Sequence, residues 1–146
     1  MKKEPFILMT DQQPRSVNAK KFGDYAEYVK AEAVVKMNGS AKYVGKFYAR
    51  IVWFHRGRAT TDADNIAKRH IDALRGVVFV DDAAISKCLT HRVDLSESYV
   101  LDGTSLGEKE LQRLLAMLGD PARKHVVYAE IGESATSQVQ LGPVEE

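Results

Sequence analysis

The sequence has little of what marks exported, membrane-spanning or fibrous proteins. It contains one cysteine, Cys88, so no disulfide can form within the chain, and nothing suggests the oxidising compartments in which small domains depend on such links. Four prolines and ten glycines in 146 residues leave no proline-rich or glycine-rich block, which argues against a linker or a fibrous region. No apolar run approaches the ~20 residues needed to cross a bilayer. Phe6-Ile7-Leu8-Met9, behind Lys2 and Lys3, is too short for the core of a secretion signal. No segment repeats. These absences lead to the expectation of one cytoplasmic domain without membrane association. Asn38-Gly39-Ser40 matches a glycosylation triplet, but without export it reads as a turn.

What is present is an uneven distribution of charge. The net charge is only +1, yet residues 1–58 hold twelve Lys/Arg against five Asp/Glu, and residues 59–146 hold nine against fifteen. A basic half can meet phosphates and an acidic half can hold cations; equally, both sets can be solvated surface.

Apolar spacing gives the outline of the elements. Phe6 to Met9 reads as a short strand. Phe22, Tyr25, Ala26, Val29, Ala33 and Met37 recur at helical spacing, and Asn38-Gly39 closes that helix. From about Lys46 to Phe54, Phe47, Ala49, Ile51 and Trp53 share one face of a strand. The basic loop His55-Arg56-Gly57-Arg58 follows. Asn65 to Arg75 reads as a helix stopped at Gly76. Val77 to Val80 is an apolar run that ends at Asp81-Asp82, and Ile85 to Leu95 reads as a strand. Within it, Cys88 reads as a small buried hydrophobe rather than a nucleophile. Ser105 and Glu108 have the spacing of a capping box, and Leu111, Leu114, Leu115 and Leu118 form the apolar stripe of the helix that follows. Val126 to Ile131 is a last strand. Helices and strands mix without regular βαβ alternation, which predicts an α+β fold: a small mixed β-sheet with helices packed on it. The domain is expected over residues 1–131, with a flexible tail over 132–146.

The chemically informative segment is Thr61-Asp62-Ala63-Asp64-Asn65, with Asp81-Asp82 further on. In extended backbone, residues two apart point to one side, so Asp62 and Asp64 could aim two carboxylates at one point. Two close carboxylates repel unless a cation lies between them. Mg²⁺ suits that place, being hard and preferring oxygen. Asp82 is the candidate third ligand, and Lys68, one helical turn after Asp64, could place an ammonium beside developing negative charge. Plainer roles stand alongside. Asp64 could cap the helix, Asp62 and Asp81-Asp82 could serve turns, and Lys68 could pair with Asp72. The four histidines, His55, His70, His91 and His125, show no metal-site spacing.

Read as one string, Asp62-Ala63-Asp64-Asn65-Ile66-Ala67-Lys68, Ile71-Asp72-Ala73-Leu74 and Val80-Asp81-Asp82 resembles the RusA family of Holliday junction resolvases. The likeness lies in a D-x-D-N opening, a lysine four residues after the second aspartate, a D-A-L near the helix end and an acidic pair after an apolar run. Pro14-Arg15-Ser16-Val17-Asn18 is similar to the family's N-terminal loop. The resemblance implies that Asp62, Asp64 and Asp82 are catalytic, metal-binding carboxylates, with Asp81 an adjacent contributor and Lys68 an active-site cation. The cofactor it implies is Mg²⁺, with Mn²⁺ able to substitute. It implies a homodimer that nicks a four-way DNA junction in paired, symmetric fashion; a junction with two-fold symmetry needs two symmetric sites, which a C₂ dimer provides. The expected DNA-contacting residues are Asn18, Lys20, Lys21, Arg56, Arg58 and Arg69. Where family members often carry arginines directly before the first aspartate, Ala59-Thr60-Thr61 intervene here. The helical segment over 105–118 is longer than the resemblance leads one to expect. Two alternatives share this sequence pattern: a protein that binds branched DNA without cutting it, and a nuclease acting on forks or flaps.

Overall fold

The computed structural model describes residues 4–14, 22–57, 63–134, 139 and 141–143. Among these residues four strands and three helices are formed: β1 (Phe6–Thr10), α1 (Phe22–Met37), β2 (Phe47–His55), α2 (Ala63–Leu74), β3 (Ile85–Asp94), α3 (Glu108–Leu118) and β4 (His125–Glu133). A 3₁₀ turn, Asp82–Ala84, leads into β3. The sheet order is β1-β4-β2-β3. β4 runs antiparallel to both β1 and β2, whereas β3 runs parallel to β2. The sheet is therefore mixed, and the fold is α+β as the apolar pattern predicts. The parallel pair has a physical cause: strands that run the same way need a long crossover, and α2 supplies it. One βαβ unit is thus present in a chain whose pattern shows no regular alternation.

Alternation along the strands divides the core into two layers. Phe6, Leu8, Phe47, Ala49, Ile51, Trp53, Val127, Ala129 and Ile131 face α1 and α2, where they meet Tyr25, Val29, Ala33, Ile66, Ala67 and Leu74. Met9, Phe54, Val126 and Tyr128 face the other way and are covered by Leu114, Met117 and Leu118 of α3. β4, covered on both faces at the centre of the sheet, is buried over seven successive residues, the pattern expected of an internal strand. It runs through Glu133, two residues beyond the expected end of the domain. Gly132 is required there because the Tyr48 ring lies where its Cβ would be: a Cβ would approach the ring at 2.5 Å.

Three expectations are corrected. The capping box does not form: Gly107 is the N-cap of α3, without a side-chain hydrogen bond, so the helix begins after Ser105 has already been passed. Leu115 is half exposed, and Met117 takes the inward position expected of it. Cys88 is exposed because β3 is an edge strand whose residues 86–89 face solvent on both sides of the sheet.

Two buried polar groups join α1 to α2. His70 is 1% exposed; its Nδ1 lies 3.0 Å from the Ile66 carbonyl and its Nε2 3.2 Å from the Tyr25 hydroxyl. The carbonyl can only accept, so Nδ1 carries the proton and Nε2 receives the Tyr25 O–H. Burial lowers the His70 pKa from 6.5 to about 4. A depressed pKa means that the unfolded chain takes up the proton first, so the stability due to neutral His70 is complete above pH 6.5 and declines as the pH falls toward 4. The whole effect is about 3 kcal/mol. His125, lowered chiefly by burial, acts in the same direction. In urea melts between about pH 7 and pH 4, His70→Gln is expected to show a shallower loss of stability than the unchanged chain; parallel curves would contradict this.

Candidate active site

α2 forms because its apolar residues fall on one stripe. Ile66, Ala67, His70, Ala73 and Leu74 are buried, and Gly76, with φ +84°, ends the helix in a conformation other residues rarely adopt. The opposite face carries charge. Asp64, Lys68 and Asp72 are exposed, four residues apart and so stacked along one side. Asp64 lies in the first turn of the helix. Neither Asp64 nor Lys68 has a hydrogen-bonding or ionic partner among the described residues. Lys68 does not pair with Asp72, which is held instead by Arg75 at 2.9 Å.

The acidic pair is carried by a turn anchored in the core. Gly76 N–H donates to the Phe79 carbonyl at 2.7 Å. Phe79 is fully buried, with its ring 5.0 Å from that of Phe47, and its backbone bridges to Tyr43 and Arg75. The chain then emerges to solvent at Val80. Asp81 caps the 3₁₀ turn: its Oδ1 accepts from Ala83 N–H at 3.0 Å. Asp82 presents Oδ2 to Arg75 Nη2 at 2.5 Å, and its Oδ1 has no partner among the described residues.

Asp62, Arg58, Asn18, Lys20 and Lys21 lie outside the described residues. Among the described residues no three acidic, histidine or cysteine side chains gather as a metal cluster. The structure links Asp82 to Asp72 through Arg75; Asp64 is two helical turns away along α2, about 12 Å of axial rise. Asp64 lies within α2, which begins at Ala63, one residue ahead of Asp64; the expected alignment of Asp62 with Asp64 involves a residue outside the described ones. The chemistry of the donor set nevertheless fits a hard divalent cation, since every candidate ligand offers carboxylate oxygen.

Two expected DNA contacts are placed elsewhere by the fold. Arg69 is 2% exposed, on the inward side of α2, and so is not on a surface that phosphates reach. Arg56 is half-buried. Its guanidinium donates to the Leu118 carbonyl and, at 3.2 Å, to that of Arg123. It thus caps the C-terminus of α3, where carbonyls lack helical partners. A hollow of about 1560 Å³ lies on the other face of the sheet beside α3. Its lining includes Glu130, which accepts from the hydroxyls of Tyr48 and Tyr128, and none of the candidate carboxylates among the described residues. Spacing alone misses Arg75, whose only signal in the sequence is its position three after Asp72.

A helix with an exposed carboxylate and lysine, beside a turn bearing two more carboxylates, is equipment suited to phosphodiester chemistry. The sequence model of the family described as endodeoxyribonuclease RusA matches residues 8–99 of this chain, and the chain belongs to that family. The family comprises DNA endonucleases that resolve Holliday junctions in recombination. The match runs from β1 past β3, while α3 and β4 lie beyond it. No curated protein matches the chain. Among the described residues, no helix is long and apolar enough to cross a membrane.

Proposed function

We propose that this protein is a Mg²⁺-dependent endonuclease that resolves four-way DNA junctions by paired symmetric nicks, acting as a homodimer in the cytoplasm. The observation that carries the reading is the exposed face of α2, which lies within the matched span and displays Asp64 and Lys68 without partners among the described residues. Asp62, Asp64 and Asp82 are the residues that would hold the ion, with Asp81 beside them; Mn²⁺ would substitute. A divalent ion held by these carboxylates would supply Lewis acidity, able to lower the pKa of a water and to offset charge on a leaving oxygen. Lys68 offsets negative charge as it develops on the phosphate. Asn18, Lys20, Lys21 and Arg58 are the cations and amide left to grip the DNA backbone, contacts that position a duplex without reading its sequence.

The test compares junction, fork, flap and linear duplex of one sequence in Mg²⁺, with cut sites mapped. Cuts at symmetry-related positions of the junction, and little on linear duplex, are expected. Equal cutting of forks and flaps would shift the substrate to branched DNA in general. Binding without cleavage in both Mg²⁺ and Mn²⁺ would leave only the structure-binding role.

A further inference from the structure

We propose that Arg75 is a positioning residue that orients Asp82 for a divalent cation. The inference rests on the reading of Asp82 as a metal ligand. Arg75 follows directly on α2, and its Nη2 meets both Asp72 Oδ1 at 2.9 Å and Asp82 Oδ2 at 2.5 Å. That nitrogen carries two hydrogens, one for each carboxylate, and the planar guanidinium fixes their directions. Asp72 is carried by α2, so Arg75 ties the side chain of Asp82 to that helix. Only one oxygen of Asp82 is used. The other remains for a ligand, as in metal sites where an outer hydrogen bond aims the coordinating carboxylate.

Stability does not explain the arrangement. The side chains of Arg75, Asp72 and Asp82 are 42%, 39% and 45% exposed, and ion pairs so open to solvent contribute little. The backbone of the turn is already secured by buried Phe79. What the ion pairs add is direction: without Arg75, the Asp82 side chain is free to rotate, and the like charge on Asp72 opposes its approach to α2.

Mn²⁺ binding to the full-length protein without DNA, followed by calorimetry or by the spin resonance of the free ion, tests this separately from catalysis. Arg75→Gln is expected to weaken binding by about 10–100-fold while melting within a few degrees of the unchanged protein. Arg75→Lys, which keeps the charge, is expected to recover part of the loss. Asp82→Asn serves as the reference and should weaken binding at least as much as Arg75→Gln. Wild-type affinity in Arg75→Gln together with a loss in Asp82→Asn would overturn the role of Arg75 and leave the carboxylate reading intact. Wild-type affinity in both variants would remove Asp82 from the site, and the role of Arg75 with it.

Discussion

Asp64→Asn is expected to reduce junction cleavage by at least ~100-fold, the scale on which the loss of one electrostatic group in a catalytic site is felt. The substitution keeps size and one acceptor oxygen but removes the charge that would attract a hard cation. Its fold should be unaffected. Asp64 is exposed, within α2 rather than at its N-cap, and makes no hydrogen bond among the described residues; only a modest dipole interaction is lost, worth a few tenths of a kcal/mol. Junction binding measured by gel shift should therefore persist. Cleavage at the unchanged rate by a correctly folded Asp64→Asn variant would remove Asp64 from the ligand set and take away the principal support for the nuclease reading of this site.

The second large effect concerns the turn that carries Asp81 and Asp82. Phe79→Ala is expected to destabilise the protein by about 3–5 kcal/mol, the usual loss when a buried phenyl ring is truncated. Phe79 is fully buried against Phe47, and its carbonyl closes the turn by accepting from Gly76 N–H. Truncation leaves a void beneath the acidic pair and loosens the link between the turn and the sheet. Cleavage should then fall further than the folded fraction alone explains, at temperatures where circular dichroism shows the variant still folded. A loss below about 1 kcal/mol in urea melts would mean that the turn is held by its backbone contacts and not by the ring.

The two halves of the site differ in how far they can be read in advance. Asp64 and Lys68 are four residues apart, a spacing that sets both on one side of α2 once the helix reaches back to Ala63 instead of beginning at Asn65. Asp82 is different. Its relation to α2 depends on Phe79 entering the core and on Arg75 spanning two carboxylates, and neither contact has a local signature. Arg56 and Arg69 show the same limit. Both look like surface cations when charge alone is counted, yet one caps α3 and the other lies inward on α2. Long side chains can bury their stems and reach distant carbonyls, which composition cannot reveal.

Local order is written into the chain: the period-two face of β2, the short apolar runs of β1 and β4, the helical segment of α2, the glycine stop at 76, and the carboxylate spacing that marks the family. Those features depend on neighbours a few residues apart, and short-range sterics and amphipathicity act at that distance. The tertiary structure alone decided that β4, last in sequence, enters the centre of the sheet between β1 and β2. It alone decided that Cys88 faces solvent on an edge strand and that Arg75 clasps Asp72 and Asp82. Strand order and ion-pair partners arise from burial and geometry between distant segments, where many pairings satisfy the same apolar pattern and only packing of the whole core selects among them.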